Sequence, residues 1–302
     1  MASTDADPAA LPTTAPLPSP SDVEFYRTHG YWISPPVLPD EVLDTAERGM
    51  ARLYAGETDH ALTDGRRSVG WTPDDGDVLR KNDYSSLLID ELATLVRHPI
   101  IAAMAACLAG TSEIRLWHDQ LLYKPSETGR LADGHEPGRV NVGWHTDRQY
   151  WRTCSSADML TAWVPFHDVG EREGAVSFVV GSHLWPEDVV LDFFDPDLST
   201  LERVKERHEV EVMVATIPRG AMSFHHCRTI HGSGPNLASA PRRSMAIHLQ
   251  PGDNEFVRHT FANGELASHP NDGFVRRLPD GRPDYADPAV CPRLWPSPRD
   301  EE

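Results

Sequence analysis

Two kinds of hydrophobic spacing divide the chain. Up to residue 108 apolar positions recur mainly at helical intervals. From 114 to 249 they fall in short runs and alternations that suit strands. Ser21-Asp22 reads as a cap for a helix over 23–29, stopped by Gly30, and 31–34 as a short strand. Pro39-Asp40 opens a helix to about Tyr54, with Val42, Leu43, Ala46, Met50 and Leu53 on one face. Residues 56–77 are polar and loop-like. The stretch 85–96 has helical spacing, His98-Pro99 breaks it, and 100–108 forms another helix closed by Gly110.

Strands are predicted over 114–124, 159–167, 174–181, 210–215 and 242–249. Between them lie a polar loop at 126–139 that can serve as a lid and an excursion at 188–207 with a short helix. Many strands in series after a helical start predict a mainly β fold with flanking helices, a sandwich or jelly roll with helices packed outside. Residues 1–20, rich in Ala, Pro, Ser and Thr, read as a disordered tail. Residues 21–302 read as one domain, with a sheet core at about 112–250 and an irregular tail at about 262–302.

Composition narrows the partners. At 39% apolar residues the 302-residue chain can bury a sizeable core. Its formal net charge of −18 repels nucleic acid and anionic membranes, so neither is an expected partner. No run of 18 apolar residues occurs, and the first 20 residues lack the basic and apolar parts of a signal peptide. Cys107, Cys154, Cys227 and Cys291 are scattered, without a C-x-x-C pair, which suits a reducing cytoplasm.

The chemistry centres on Gly143-Trp144-His145-Thr146-Asp147. On one strand, side chains two positions apart share a face, so His145 and Asp147 would point the same way. His231, in His-Gly-Ser-Gly-Pro-Asn (231–236), would complete a 2-His-1-carboxylate facial triad. Such a triad holds Fe(II) and leaves three coordination positions open. By the same alternation, neither His118-Asp119 nor His225-His226 can chelate one metal through both side chains. One of the latter two histidines can still line the cavity, and His183 reads as a turn cap.

These segments, together with 173–183 (Glu-Gly-Ala-Val-Ser-Phe-Val-Val-Gly-Ser-His), Arg242 and the N-terminal 25–31, resemble the phytanoyl-CoA hydroxylase-like family of iron(II)/2-oxoglutarate dioxygenases. The resemblance runs from about 21 to 250. It implies a double-stranded β-helix (jelly-roll, cupin-like) core, with Fe(II), 2-oxoglutarate and O2 as cofactor and co-substrates. Arg242, eleven residues after His231, would pair with the distal carboxylate of 2-oxoglutarate, and Arg243 would point the opposite way. Ser233 and Trp163 occupy positions that line the same pocket in relatives, although core packing is an equal reading for Trp163. Gln120 and Lys124, on the strand before the lid loop, can reach it too.

Trp144, Tyr150, Trp151 and Phe224 flank the candidate ligands and are read as a weak aromatic wall for substrate. Asp147 is a carboxylate where related halogenases carry a small residue, so hydroxylation with release of succinate and CO2 is the expected reaction. Desaturation and other oxidations stay open. A neutral or cationic small molecule, such as a secondary-metabolite intermediate or an amino-acid derivative, is the expected substrate. The alternatives are an acyl-CoA, or a cupin-like metal protein without 2-oxoglutarate chemistry.

Overall fold

The computed structural model describes residues 16–76, 78–135, 138, 140–187 and 191–296. Most of the expected N-terminal tail therefore lies outside the described residues. Helix α1, Pro20–His29, is capped by Ser19 in a box with Asp22, not by Ser21, and ends at Gly30 in the left-handed conformation. After strand β1, Tyr31–Ile33, come helices α2, Asp40–Tyr54, α3, Asp90–Val96, and α4, Pro99–Ala109. Strand β2, Arg80–Asp83, has no counterpart in the hydrophobic pattern, because its sequence Arg-Lys-Asn-Asp is wholly polar.

The remaining strands are β3, Ile114–Lys124; β4, Val142–His145; β5, Leu160–Pro165; β6, Val176–Val179; β7, Val212–Val214; β8, Ser223–His226; β9, His231–Ser233; β10, Arg242–Pro251; and β11, Arg293–Trp295. Helix α5, Thr128–Ala132, lies in the predicted lid loop, α6, Leu201–Lys205, in the later excursion, and α7, Asn271–Phe274, in the tail. The strands form two antiparallel sheets, β1-β8-β5-β10-β3-β11 with β2 added against β3, and β4-β9-β6-β7. This is the jelly-roll architecture expected from the strand series.

Alternation along the large sheet sorts its side chains by layer. Met245, Ile247 and Leu249 of β10, Leu160, Ala162 and Val164 of β5, Leu121 of β3 and Phe224 of β8 join the core under the helices. The intervening residues Arg242, Ala246 and His248, Thr161 and Trp163, Gln120 and Leu122, and His225 face the space between the sheets. One face is bound to the helices and the other is free for chemistry.

The segment Asp90–Ala109 is long and apolar enough to cross a membrane, but 72% of its most apolar stretch is buried inside the protein, where α4 packs on the sheet. The tail is more integrated than its lack of periodicity suggested. β11 pairs with β3, and Phe274, Val275, Tyr285, Val290, Cys291 and Leu294 enter the main core. Asn271 fastens it further, donating to Trp117 O at 2.6 Å and accepting from Tyr84 OH at 2.5 Å. Polar anchors of this kind leave no hydrophobic period to read.

Candidate active site

His145 ends β4 and His231 begins β9, and the two are direct cross-strand partners with ring centroids 4.1 Å apart. Asp147 does not share a strand with His145, contrary to the alternation expected from the sequence. β4 stops at His145, and Asp147 starts a single 3-10 turn, Asp147–Gln149, after one extended residue, Thr146. A register shift between Val142 and His145 marks a bulge in β4. The bulge lets both Val142 and His145 face the interior while Trp144 faces out. One ligand atom from each of His145, Asp147 and His231 lies within 4.8 Å of the others, and all three residues are buried.

Backbone carbonyls aim the two imidazoles. His145 Nδ1 lies 2.8 Å from Gly143 O, and His231 Nδ1 lies 2.9 Å from Thr229 O. Each ring donates at Nδ1 and so turns an unprotonated Nε2 to the centre, 3.8 and 3.7 Å from Asp147 Oδ1. Burial holds both histidines below their ordinary range, so they are neutral, as metal ligands require. Burial alone would raise the Asp147 carboxyl. The charge that His231, and after it His248 and His225, would carry on taking up a proton, together with the hydrogen bond to His225, more than offsets that and holds it well below the usual carboxylate range. Thr161 donates to Asp147 Oδ2 at 2.6 Å, and His225 Nε2 stands 3.4 Å from the same oxygen. Two neutral nitrogens and an anionic oxygen are a donor set that fits Fe(II).

At the far end of a narrow cleft of about 50 Å³ lies Arg242, 2% exposed. Its guanidinium donates to Gly174 O and sits 5.2 Å from the centroid of Trp163. Its Nε has no partner, and no carboxylate among the described residues forms an ion pair with it. Burial pulls its pKa down to about 9. A buried cation without a counter-ion is costly, and a carboxylate guest would supply what is missing. Gly174 carries a positive φ of 64° and lies so near Gly234 O and Pro235 O that a side chain there would stand 2.7 Å from each. Arg243 points outward to Glu47 on α2, at 3.1 Å.

Ser233, Trp163 and Gln120 line the cleft. Lys124, fully buried, reaches it only through Ser233, donating to its Oγ at 2.6 Å and to Gly234 O at 2.6 Å.

The triad also borders a wider outer pocket of about 210 Å³, which shares Gln120, His145, Asp147, Phe193 and His248 with the inner cleft. Tyr150 and Trp151 of the expected aromatic wall line it. Trp144 and Phe224 do not. Trp144 bonds Leu198 O at 3.1 Å on the outer side of the small sheet, and Phe224 packs against Trp32 beneath the helices. Both follow from strand parity, which turns Trp144 away from its neighbour His145 and Phe224 away from the cleft-facing His225. Of the histidines set aside as non-chelating pairs, His225 faces the inner cleft and His118 the outer pocket, while His226 turns toward Asp158. His183 bonds Arg27 O at 3.0 Å.

Sequence reasoning missed Thr161, His248, Phe193 and His269. His248 was recoverable, because it shares strand parity with Arg242, whereas Phe193 and His269 come from segments without periodicity. Phe193 is set by Gly143, whose N–H donates to Phe193 O at 2.9 Å.

Residues 26–244 match the profile of the phytanoyl-CoA dioxygenase family. A probable alpha-ketoglutarate-dependent hypophosphite dioxygenase from Stutzerimonas stutzeri is 27% identical over 180 residues, a stretch that spans 58% of each chain. An ectoine dioxygenase from Bordetella bronchiseptica is 24% identical over 75% of this chain and 73% of its own. Among solved structures, the non-heme alpha-ketoglutarate-dependent epimerase SnoN of nogalamycin biosynthesis superposes with a TM-score of 0.65 at 26% identity. That match covers 91% of this chain and 97% of the other. The carbocyclase SnoK of the same biosynthesis gives 0.62 at 25%, over 82% and 89%. With the profile spanning well over half of its length, the chain belongs to the phytanoyl-CoA dioxygenase family, whose relatives here are iron- and 2-oxoglutarate-dependent oxygenases.

Proposed function

We propose that this oxygenase holds Fe(II) with His145, Asp147 and His231, and clamps the distal carboxylate of 2-oxoglutarate with Arg242. It would hydroxylate a C–H bond of a small molecule seated in the outer pocket. The observation that carries this reading is the pairing of a buried three-ligand cluster with a buried, uncompensated guanidinium at opposite ends of one cleft. A cupin-like metal protein without the co-substrate gives no reason for that arginine.

When bound, the metal supplies oxygen activation coupled to decarboxylation of 2-oxoglutarate. The chain supplies placement. His145 and His231 present fixed lone pairs, and Thr161 steadies Asp147. Arg242 and Ser233 orient the co-substrate, Trp163 walls the cleft, and Lys124 holds Ser233 in position. Phe193, edge-on to His145 at 4.9 Å, shields the junction of the two cavities from water.

The substrate we favour is a neutral secondary-metabolite intermediate. Among the described residues no arginine lines the outer pocket, which weighs against the phosphates of an acyl-CoA. Its lysine, Lys81, is spent on Asp83 at 3.0 Å. The likeness to two nogalamycin enzymes supports the same class. Because one of them is an epimerase matched over nearly its whole length, inversion at a C–H centre is the second reading. Four free cysteines support a reducing, cytosolic setting. Succinate release from purified protein supplied with Fe(II), 2-oxoglutarate and a panel of polyketide and amino-acid derivatives tests the reading. Turnover of an acyl-CoA in preference to all of them would reverse the substrate assignment.

A further inference from the structure

Among the described residues, Gln120, His145, Asp147, Phe193 and His248 border both the inner cleft and the outer pocket. All but one are fixed by the fold. Gln120, His145 and His248 sit on strands, and Asp147 opens the 3-10 turn that follows β4. Phe193 alone stands outside both sheets, in a turn where the Asp195 N–H donates to Asp192 O at 3.3 Å. Its ring lies 4.9 Å from that of His145 and 5.8 Å from the Lys81 ammonium, across the junction of the two cavities. A dicarboxylate passing from the outer pocket to Arg242 has to cross that junction.

The ligand-bearing segment 143–150 holds this turn in place. The Gly143 N–H donates to Phe193 O at 2.9 Å, and Gln149 Nε2 donates to Leu191 O at 2.8 Å. The Tyr150 hydroxyl accepts from the Phe193 N–H at 3.0 Å and donates to Asp192 Oδ1 at 3.3 Å. That carboxylate oxygen also accepts from the Phe194 N–H at 3.0 Å. Tyr150 is 39% exposed and Phe194 72%, so these bonds lie at the surface, where water replaces a partner at small net cost. Past the tip the chain is tied down again, by Asn141 Nδ2 to Pro196 O at 2.9 Å and by Trp144 Nε1 to Leu198 O at 3.1 Å. The tip can therefore lift while its flank stays anchored. A role as aromatic wall gives the Tyr150 hydroxyl no task, and its bonds to the turn do.

We propose that Phe193 is the gate between the outer pocket and the co-substrate cleft, and that Tyr150 is the positioning residue that latches it. With the latch formed, the Phe193 ring closes the junction and keeps bulk water from the metal position. With the latch broken, the tip lifts and 2-oxoglutarate passes to Arg242. This inference rests on the proposed function, because it takes Arg242 as the seat of the co-substrate.

The test is stopped-flow absorption of the anaerobic Fe(II) protein mixed with 2-oxoglutarate, following the charge-transfer band. Tyr150→Phe deletes one oxygen and keeps the ring. It should raise the association and dissociation rates of 2-oxoglutarate together, roughly twofold to tenfold, as expected for the hydrogen bonding lost, and leave the Kd unchanged. Mere loosening of the site would change the Kd instead. In a Phe193→Ala background there is no ring to latch, so adding Tyr150→Phe should not accelerate binding further. Hydrogen exchange of the metal-free protein reads the latch apart from the co-substrate. The Phe193 amide should exchange roughly twofold to tenfold faster in Tyr150→Phe, with the amides of β10 unaffected. Unaltered rates in Tyr150→Phe, or an equal acceleration in the Phe193→Ala background, overturn the gate. Unaltered exchange at Phe193 overturns the latch. Asp192→Ala, at an exposed position, removes the acceptor of the Tyr150 hydroxyl and should move both readouts the same way, so it decides if Tyr150→Phe does not fold. Bound iron with no band in the wild type would defeat the proposed function and the gate with it, whereas a band that forms at unaltered rates defeats the gate alone.

Discussion

Asp147 meets three demands at once: it must stay ionised while buried, face two imidazoles and keep a fixed rotamer. Thr161 serves the last of these. Asp147→Gly should abolish turnover, and its loss of iron affinity should exceed the roughly 10–100-fold cost of losing an outer-shell partner. Full activity in that variant would sink the ligand assignment. Thr161→Val, which leaves the ligands intact, should fall within that 10–100-fold range in a metal titration. Arg242→Ala should raise the KM for 2-oxoglutarate at least tenfold, since a charge-assisted hydrogen bond is worth about 1.5–3 kcal/mol, with iron binding retained. An unchanged KM would move the clamp elsewhere.

Buried neutral histidines also set an acid limit. His248 and His269 titrate near 4 and 3 in the fold, against an ordinary value of 6.5. As the pH falls below 6.5 the unfolded chain takes up protons that the fold refuses, so stability is lost between about 6.5 and 4. Each such group contributes about 1.4 kcal/mol per pH unit. Asp119, pushed up to about 7 by burial, acts in the opposite sense over much of that window, but it is one group against at least two. Thermal melts of metal-free protein should therefore drop steeply from pH 6.5 to 4.5. A flat profile would contradict the neutral-histidine picture.

At the scale of elements, close backbone approach matters more than propensity. Gly143 in β4 lies beneath the 191–205 excursion, and a Cβ there would fall 2.1 Å from Asp192 O and 2.3 Å from Asp195 O. Gly143→Ala should displace Phe193 from the mouth of the cleft and cost about 1–3 kcal/mol, visible as a lowered Tm. An unaltered Tm would show that the excursion yields freely.

Most elements were legible because each has one apolar face. α2, α4, β3 and β10 fall within a residue or two of the spans their periodicity implied. β2 was not, being polar, and neither was the turn that carries Asp147, because a bulge and a 3-10 turn leave no periodic trace. The triad and Arg242 were visible as spaced motifs. The substrate side was half visible: Tyr150 and Trp151 could be named from their place beside the ligands, but strand parity removed Trp144 and Phe224. His269 was hidden in an aperiodic tail.

For the whole molecule, that tail is part of the machinery. The 262–296 segment supplies the edge strand β11, core side chains and one side of the outer pocket through Ser268, His269 and Pro270. A chain truncated after residue 261 should lose cooperative unfolding, not merely substrate affinity. Both layers then meet at one claim, that the cleft between the sheets joins a three-ligand iron site to an arginine that receives 2-oxoglutarate. Anaerobic visible absorption tests it most directly. Fe(II) followed by 2-oxoglutarate should produce a weak charge-transfer band in the wild type. At the same co-substrate concentration the band should be strongly reduced in Arg242→Ala and recovered as that concentration is raised. Iron demonstrably bound with no band at any 2-oxoglutarate concentration would contradict the account and favour a metal site that does not use the co-substrate.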